Sequence, residues 1–489
     1  MKGGKPYDVI ILGAGLSGLL AAALLAKRGR HVLVLEEEAI PGGLSHRAVR
    51  EGFSYMRGPA LFLGFERDGL YDRLFMELGL SLSMLKKEGT LFRRSAPPFQ
   101  VVLPHHRLNF YQDPGELFNE LSREFPDHIQ EFRALLSEID RWDGILRPAY
   151  HLAQKRSPRG FGEWVDYFRE RLKLSAAVRA PRRQKASAFL EPFGLDSEFC
   201  QGLELTLLLF TGRTLKEATG LDLLLLLGPL RREVIAITGG IPRLAEQLVK
   251  VIEEHRGKVA FSQSLEELVV ERRRLTAIRT KETEVPVAGS VIANIPFLRL
   301  PQAGGGRRFL TFYFGIASDA LPSAMSEHLL MTQNLKEPPL ADNFLFLVVS
   351  ELKDRAAAPE GQSALQVITS LSESGEPTPA ELERLKDSIL AQLIYLMPFS
   401  RPSLTFVGYD LWTARENKRL SAVGASLLSR AKARSRHGAT YYTLPIRNLF
   451  LLPDQGHRPA ADLGQARSAL ELTEHLLDLE RSKGLLGPR

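Results

Sequence analysis

Gly13, Gly15 and Gly18 stand in the run Gly13-Ala14-Gly15-Leu16-Ser17-Gly18, and a carboxylate, Glu36, follows 23 residues after the first of them. Glycines at these spacings serve a diphosphate. The first permits a tight turn, the second lets the backbone approach the phosphates, and the third lets a helix pack close to a strand. A carboxylate at the position of Glu36 accepts hydrogen bonds from a ribose 2′-hydroxyl and repels a 2′-phosphate, which disfavours NADP. Together these residues describe a dinucleotide site. Glu37 and Glu38 read as solvated loop charges beside it.

The motif has this meaning only where particular elements carry it. Tyr7-Asp8-Val9-Ile10-Ile11-Leu12 is rich in β-branched residues and predicts a buried parallel strand. A helix over 17–28 then aims its amino-terminal amides and positive dipole end at the phosphates, and Gly29 ends it. Val32-Leu33-Val34-Leu35 predicts the second strand, with Glu36 at its end. The apolar run over 9–26 also has the look of a signal segment or membrane span. Asp8 at its start, the three glycines inside it and the strand directly after it favour strand, turn, helix, strand.

Composition limits the other possibilities. The 489 residues are 44% hydrophobic and 25% charged, which excludes a disordered chain and a polytopic membrane protein. The length allows about three domain-sized units with a sizeable core. One cysteine, Cys200, excludes an intramolecular disulfide framework and a Cys-rich zinc site, and a cytoplasmic location fits. The eleven histidines form no HExxH and no i, i+4 pair with a carboxylate partner, so no metal is expected. No GxSxG or Cys/His signature is present. No acid–base pair stands out, and no catalytic side chain is assigned. Gly304-Gly305-Gly306 lacks a leading strand, so a second dinucleotide domain is not expected and the electron acceptor stays open.

After Glu36 the chain reads Glu37-Glu38-Ala39-Ile40-Pro41-Gly42-Gly43, then Gly52-Phe53-Ser54-Tyr55-Met56-Arg57-Gly58-Pro59. Further on come Thr238-Gly239-Gly240-Ile241-Pro242-Arg243-Leu244, Ser264-Leu265-Glu266-Glu267-Leu268 and Ser290-Val291-Ile292-Ala293-Asn294-Ile295-Pro296. In this combination the sequence resembles the flavin amine oxidase superfamily, within it the phytoene desaturase and carotenoid isomerase branch. The likeness touches both ends and the middle of the chain. It implies FAD as the bound dinucleotide. It also implies that Gly42, Gly43 and Leu44 pass the flavin and that Gly58 and Pro59 belong to the same site. Leu265 would give a backbone contact on the adenine side, and Asn294 would end the strand that re-enters the flavin domain. Asp454 would be the acid near the ribityl chain and pyrophosphate, and Gly464 would open the last helix. Three features depart from the family pattern, one being that Arg458-Pro459-Ala460-Ala461-Asp462 stands where a glycine-rich run is expected after His457. Leu44 stands where Arg is usual, and Pro453 stands where Gly is usual, without an amide hydrogen to offer.

The fold class expected is α/β. It has a discontinuous Rossmann-like FAD-binding domain over 1–75, 236–300 and 440–489. A mixed-sheet substrate domain covers 76–112 and 301–439, and a helical segment is inserted over 113–235. In that segment an amphipathic run over 116–145 follows an Asp113-Pro114 start. The apolar runs 205–210 and 223–227 are too short to span a bilayer. Each reads as a core helix or as the lining of an entrance for a long apolar substrate. The resemblance implies hydride transfer between an isoprenoid- or carotenoid-like substrate and flavin N5, as desaturation, saturation or isomerisation. An amine or protoporphyrinogen oxidase is the alternative enzyme. A lipid-binding escort resembling Rab GDP-dissociation inhibitors, with no redox chemistry, is the alternative of another class.

Charge adds one further feature. Ten Lys/Arg and three acids lie within 155–185, an excess matching the whole chain's net charge of +7. Trp164, Tyr167, Phe168 and Leu172 are interleaved at helical spacing. A basic amphipathic helix of this kind lies on an anionic membrane, and the plainer alternative is a solvated helix with a core-facing stripe. No nucleic-acid partner is expected.

Overall fold

The computed structural model describes residues 6–43, 47–58, 60–87, 89–90, 92–152, 175–294, 308–350, 357–371, 377–411, 432–436, 439–452, 460–461 and 463–482, together with Asp166, Arg169, Leu172 and Lys173. The first strand, Val9–Leu12, and the second, Val32–Leu35, are buried at every residue. Between them runs the helix Leu16–Lys27. Its residues from Leu16 to Ala26 are all buried, so it has no solvent face. The small and aliphatic composition of this helix explains that burial. It is covered by the helices Gly240–Glu254 and Gly464–Ser482 as well as by its own sheet.

The sheet runs in the spatial order Lys258–Ala260, Val32–Leu35, Val9–Leu12, Ser290–Ala293, Leu449–Leu451, Ala439–Thr443, Lys432–Arg436. The first five are parallel and the last two antiparallel. Strands far apart in sequence thus sit side by side, which makes this Rossmann-like unit discontinuous. A small antiparallel sheet, Leu265–Glu271, Arg274–Thr280 and Glu284–Pro286, lies between two of its strands in sequence.

A second seven-stranded sheet has the order Thr405–Leu411, Arg308–Ala317, Gln362–Leu371, Leu345–Val349, His328–Met331, Phe99–Val102, Arg107–Phe110. It is antiparallel except where His328–Met331 meets Phe99–Val102. Alternation along its strands sorts the side chains. Leu345, Leu347, Leu365 and Val367 pack with Leu385, Ile389 and Leu393 of the helix Pro379–Leu396. Phe346 and Ile368 face the opposite way, into the core shared with the first sheet's helices.

From 114 to 232 the described elements are helices. The amphipathic run expected over 116–145 is two helices, Pro114–Glu124 and Ile129–Leu152, separated at Pro126. Proline at that point removes an amide donor and clashes with the preceding turn, which ends the first helix. Asp113 caps that helix, its side chain accepting from the amides of Gly115 and Glu116. The apolar runs 205–210 and 223–227 lie in the helices Ser197–Thr211 and Gly220–Arg232 and pack into or against the main core, apart from Leu224. Of the basic residues of 155–185, Arg169, Lys173, Arg179, Arg182, Arg183 and Lys185 are described, and they and Leu172 are exposed. Trp164, Tyr167 and Phe168 lie outside the described residues.

Candidate dinucleotide site and the adjoining cavity

The glycine run forms the turn between the first strand and the first helix. Gly13 has φ +95°, a conformation that favours glycine, and its amide donates to the carbonyl of Leu35 at 2.8 Å. Gly15 is the extended N-cap residue of the helix, and no side chain caps the first turn. The amides of Leu16, Ser17 and Gly18 at that terminus therefore present the donor set an anion uses. A Cβ on Gly18 would lie 2.5 Å from the carbonyl oxygen of Gly13, and one on Gly15 would lie 2.9 Å from Nδ2 of Asn294. Close packing against backbone thus demands glycine at 18, whereas at 15 the Asn294 side chain would have to shift.

Asn294 directly follows the strand Ser290–Ala293, and its amide donates to the carbonyl of Leu12 at 2.8 Å. Gly42 donates to the carbonyl of Ala14 at 2.9 Å. Gly43 approaches so closely that a Cβ there would sit 3.4 Å from Cα of Gly15. The turn, Asn294 and the Gly42-Gly43 pair therefore converge at the carboxyl ends of the central parallel strands. In open α/β sheets that is where ligands bind.

Glu36 is held rigidly at this place. It is buried, with 6% exposure. Oε2 accepts from the amide of Ala14 at 2.5 Å, and Oε1 accepts from the amide of Glu38 at 2.9 Å. Burial pushes its carboxyl above the usual range, against the two amides, which pull it down. Each oxygen keeps a second lone pair for a hydroxyl donor. Glu37 is exposed and accepts from the hydroxyl of Ser264 at 3.0 Å.

Leu265 opens the strand Leu265–Glu271 and packs against the cluster that holds Leu12 and Leu35. Gly58 is buried with φ +89°, and Gly464 opens the closing helix. Leu44, Pro59 and Asp454, and with them Pro453, lie outside the described residues.

A cavity of about 90 Å³ lies between this unit and the second sheet. Met56, Ala60, Thr238 and Gly240 line it from one side, and His328, Val348 and Gln366 from the other. The last three are cross-strand neighbours in one row. Sequence reasoning missed them. The available signal was a polar residue inside an apolar strand run, His-Leu-Leu-Met and Leu-Gln-Val-Ile, where period-two alternation marks a side chain on one face.

A second missed cluster sits nearby. The Asp410 carboxylate pairs with Arg50 at 2.8 Å and with Arg57, and it accepts from the Tyr313 hydroxyl at 2.9 Å. It ties the hairpin Arg47–Arg50 and Phe53–Met56 to the edge of the second sheet.

With this geometry in place, the comparisons with known proteins can be read. The NAD(P)-binding Rossmann-like domain family matches residues 11–78. Prolycopene isomerase, chloroplastic, of Daucus carota is 22% identical over 97% of this chain and 83% of its own. A 4,4'-diapophytoene desaturase of Methylomonas sp is 21% identical over 79% of this chain and 78% of its own. Among solved structures, a putrescine oxidase with putrescine bound has a TM-score of 0.55 at 16% identity, covering 98% of this chain and 99% of its own. The likeness to carotenoid isomerases and desaturases therefore runs along nearly the whole chain. The fold is that of the flavin amine oxidases.

Proposed function

We propose that this chain is an FAD-dependent oxidoreductase of the carotenoid desaturase and isomerase type, acting on an apolar isoprenoid polyene. The observation that carries the reading is the convergence of four features at one end of a Rossmann sheet. These are the glycine turn, the buried Glu36, the Gly42-Gly43 pair and Asn294, with a cavity of about 90 Å³ opening against the second sheet. The residues present fit the cofactor. The turn packs too closely at Gly18 to admit a Cβ, the helix terminus offers uncapped amides, and Glu36 keeps free lone pairs for the ribose.

In this reading, residues 13–18 hold the pyrophosphate and Glu36 the adenosine ribose. Leu265 flanks the adenine, and Gly42, Gly43, Leu44, Gly58 and Pro59 border the flavin. Asn294, Asp454 and Gly464 complete the site. Residues 1–75, 236–300 and 440–489 form the cofactor domain. Residues 76–112 and 301–439 form the substrate domain, and 113–235 form the helical segment. When bound, the flavin supplies a hydride acceptor and donor at N5, and the protein orients the polyene against it and excludes water. The paired Asp410, Arg50 and Arg57 hold the hairpin that closes one side of the cavity.

The test is to load the protein with FAD and incubate it anaerobically with geometric isomers of a linear polyene. Interconversion or altered conjugation, seen by chromatography and absorption, is expected. Unchanged polyene with a flavin-loaded protein would overturn the reading. The exposed basic residues of 155–185 are proposed to touch an anionic membrane surface. Sedimentation with anionic liposomes should occur at low salt and be lost at high salt, and no binding at low salt would refute the contact. No helix among the described residues is long and apolar enough to cross a membrane.

A further inference from the structure

The edge strand Thr405–Leu411 carries a bulge. It pairs with Arg308–Ala317 so that Tyr313 stands opposite Gly408 but Phe314 opposite Phe406, which leaves Val407 as an extra residue. One extra residue reverses the alternation of side chains beyond it. Phe406 and Tyr409 accordingly share a face, their rings 6.4 and 6.2 Å from that of Phe312. Asp410 falls on the other face, with Tyr313. In a strand without the bulge, residues 406, 408 and 410 would share a face. Asp410 would then point with Phe406 toward the core that packs the helix Pro379–Leu396.

The face that Asp410 does occupy is the one crossed by the hairpin Arg47–Arg50 and Phe53–Met56. Phe53 lies on Gly315, where a Cβ would sit 2.3 Å from its ring. Tyr55 packs on Tyr313, with ring centroids 4.5 Å apart. Asp410, with its side chain 17% exposed, closes the contact. Oδ1 accepts from Nη2 of Arg50 at 2.8 Å. Oδ2 accepts from Nε of Arg57 at 3.1 Å and from the Tyr313 hydroxyl at 2.9 Å. Gly408 makes room for this, since its φ is +152° and a Cβ there would lie 2.9 Å from Nη1 of Arg50. Burial, and then the Asp410 carboxylate, hold the Tyr313 phenol well above its ordinary value, so it stays a donor.

On its far side the hairpin reaches the dinucleotide unit. Arg57 stands between Met56 and the buried Gly58. Cε of Met56 fills the space at Gly240, where a Cβ would lie 2.4 Å from it. Gly240 opens the helix Gly240–Glu254, which packs on the helix of the glycine turn. A Cβ on Gly42 would lie 3.4 Å from Cα of Pro242 in that same helix. The place of residues 56–58 is therefore set from one side by Asp410 and felt on the other at two glycine turns. We infer that Asp410 is a positioning residue for the flavin, acting through Arg57 on Met56-Arg57-Gly58, with the bulge at Val407 aiming it there. This rests on the reading of Gly42, Gly43 and Gly58 as the border of the flavin.

The test uses the full-length protein and Asp410→Asn, Arg57→Ala and the double variant. Hydrogen exchange of the segment 47–58 is measured without cofactor, then FAD is titrated and the visible circular dichroism of the bound flavin is recorded. In Asp410→Asn, exchange over 47–58 should quicken at least about tenfold, since charge-assisted bonds to two arginines are lost. FAD should weaken about tenfold, and the flavin's dichroic band should change at saturating FAD. In the Arg57→Ala background, adding Asp410→Asn should change FAD affinity less than about twofold, because the two act as one unit. Deletion of Val407, which would turn Asp410 to the other face, should reproduce the Asp410→Asn result where it folds.

Unchanged exchange over 47–58 in Asp410→Asn would overturn the inference, whatever the flavin does. So would normal FAD affinity and an unaltered flavin band beside a lowered melting temperature, which would make Asp410 a brace and nothing more. Additive losses in the double variant would overturn the route through Arg57. Quickened exchange in a protein whose wild type takes up no FAD would refute the cofactor reading itself, and with it any role of Asp410 toward a flavin.

Discussion

Glu36 is where a single residue does most for the proposed cofactor. Its two oxygens already hold the amides of Ala14 and Glu38, so the carboxylate shapes the glycine turn before any ligand arrives. Glu36→Gln turns one of the two acceptors into a donor facing an amide N–H, so it should loosen the turn and weaken FAD by at least about tenfold. Equilibrium titration of the cofactor-free protein measures this. The same residue sets a pH dependence. Burial raises its folded pKa above the unfolded one, so the folded protein without cofactor binds that proton more tightly. Its contribution to stability is present below the unfolded pKa and is lost as pH rises through the folded value. Melting temperatures across that acidic window should therefore fall more steeply with pH in the wild type than in Glu36→Gln. Parallel curves would contradict the assignment.

Gly18 matters through the helix that it joins to the turn. A Cβ there would meet the Gly13 carbonyl oxygen at 2.5 Å, and backbone cannot yield as a flexible side chain can. Gly18→Ala must push the helix Leu16–Lys27 away from the first strand. That helix is buried on every side, so the shift propagates into the packing with Gly240–Glu254 and Gly464–Ser482. Loss of FAD binding together with a melting temperature lowered by several degrees is expected, since about 1 kcal/mol moves a domain's midpoint by a few degrees. An unchanged melting temperature would show that the helix has room to move.

This unit was legible in the sequence because its constraints are local. The strand Val32–Leu35 coincides with its reading, and the strand Val9–Leu12 and helix Leu16–Lys27 fall within a residue or two of theirs. The run 116–145 is helical as its amphipathic spacing implies, but that spacing continues across Pro126 and so hides the break between its two helices. His328, Gln366 and Asp410 were not legible as site residues. Their meaning comes from strand register between segments far apart in sequence, which no local pattern encodes.

At the scale of the whole molecule, the central claim is that two large sheets enclose a flavin and its substrate between them. The chain crosses from one to the other several times. Asp410 on the edge strand Thr405–Leu411 holds Arg50 and Arg57, which lie just past the Gly42-Gly43 pair in sequence. The hairpin after the Gly42-Gly43 pair and the second sheet are thereby joined through a few ion pairs. The direct measurement is an absorption spectrum of the purified protein after loading with FAD, taken before and after anaerobic dithionite. The account predicts a bound yellow chromophore that bleaches on reduction and is released as FAD on denaturation. A colourless protein that takes up no added FAD would contradict it.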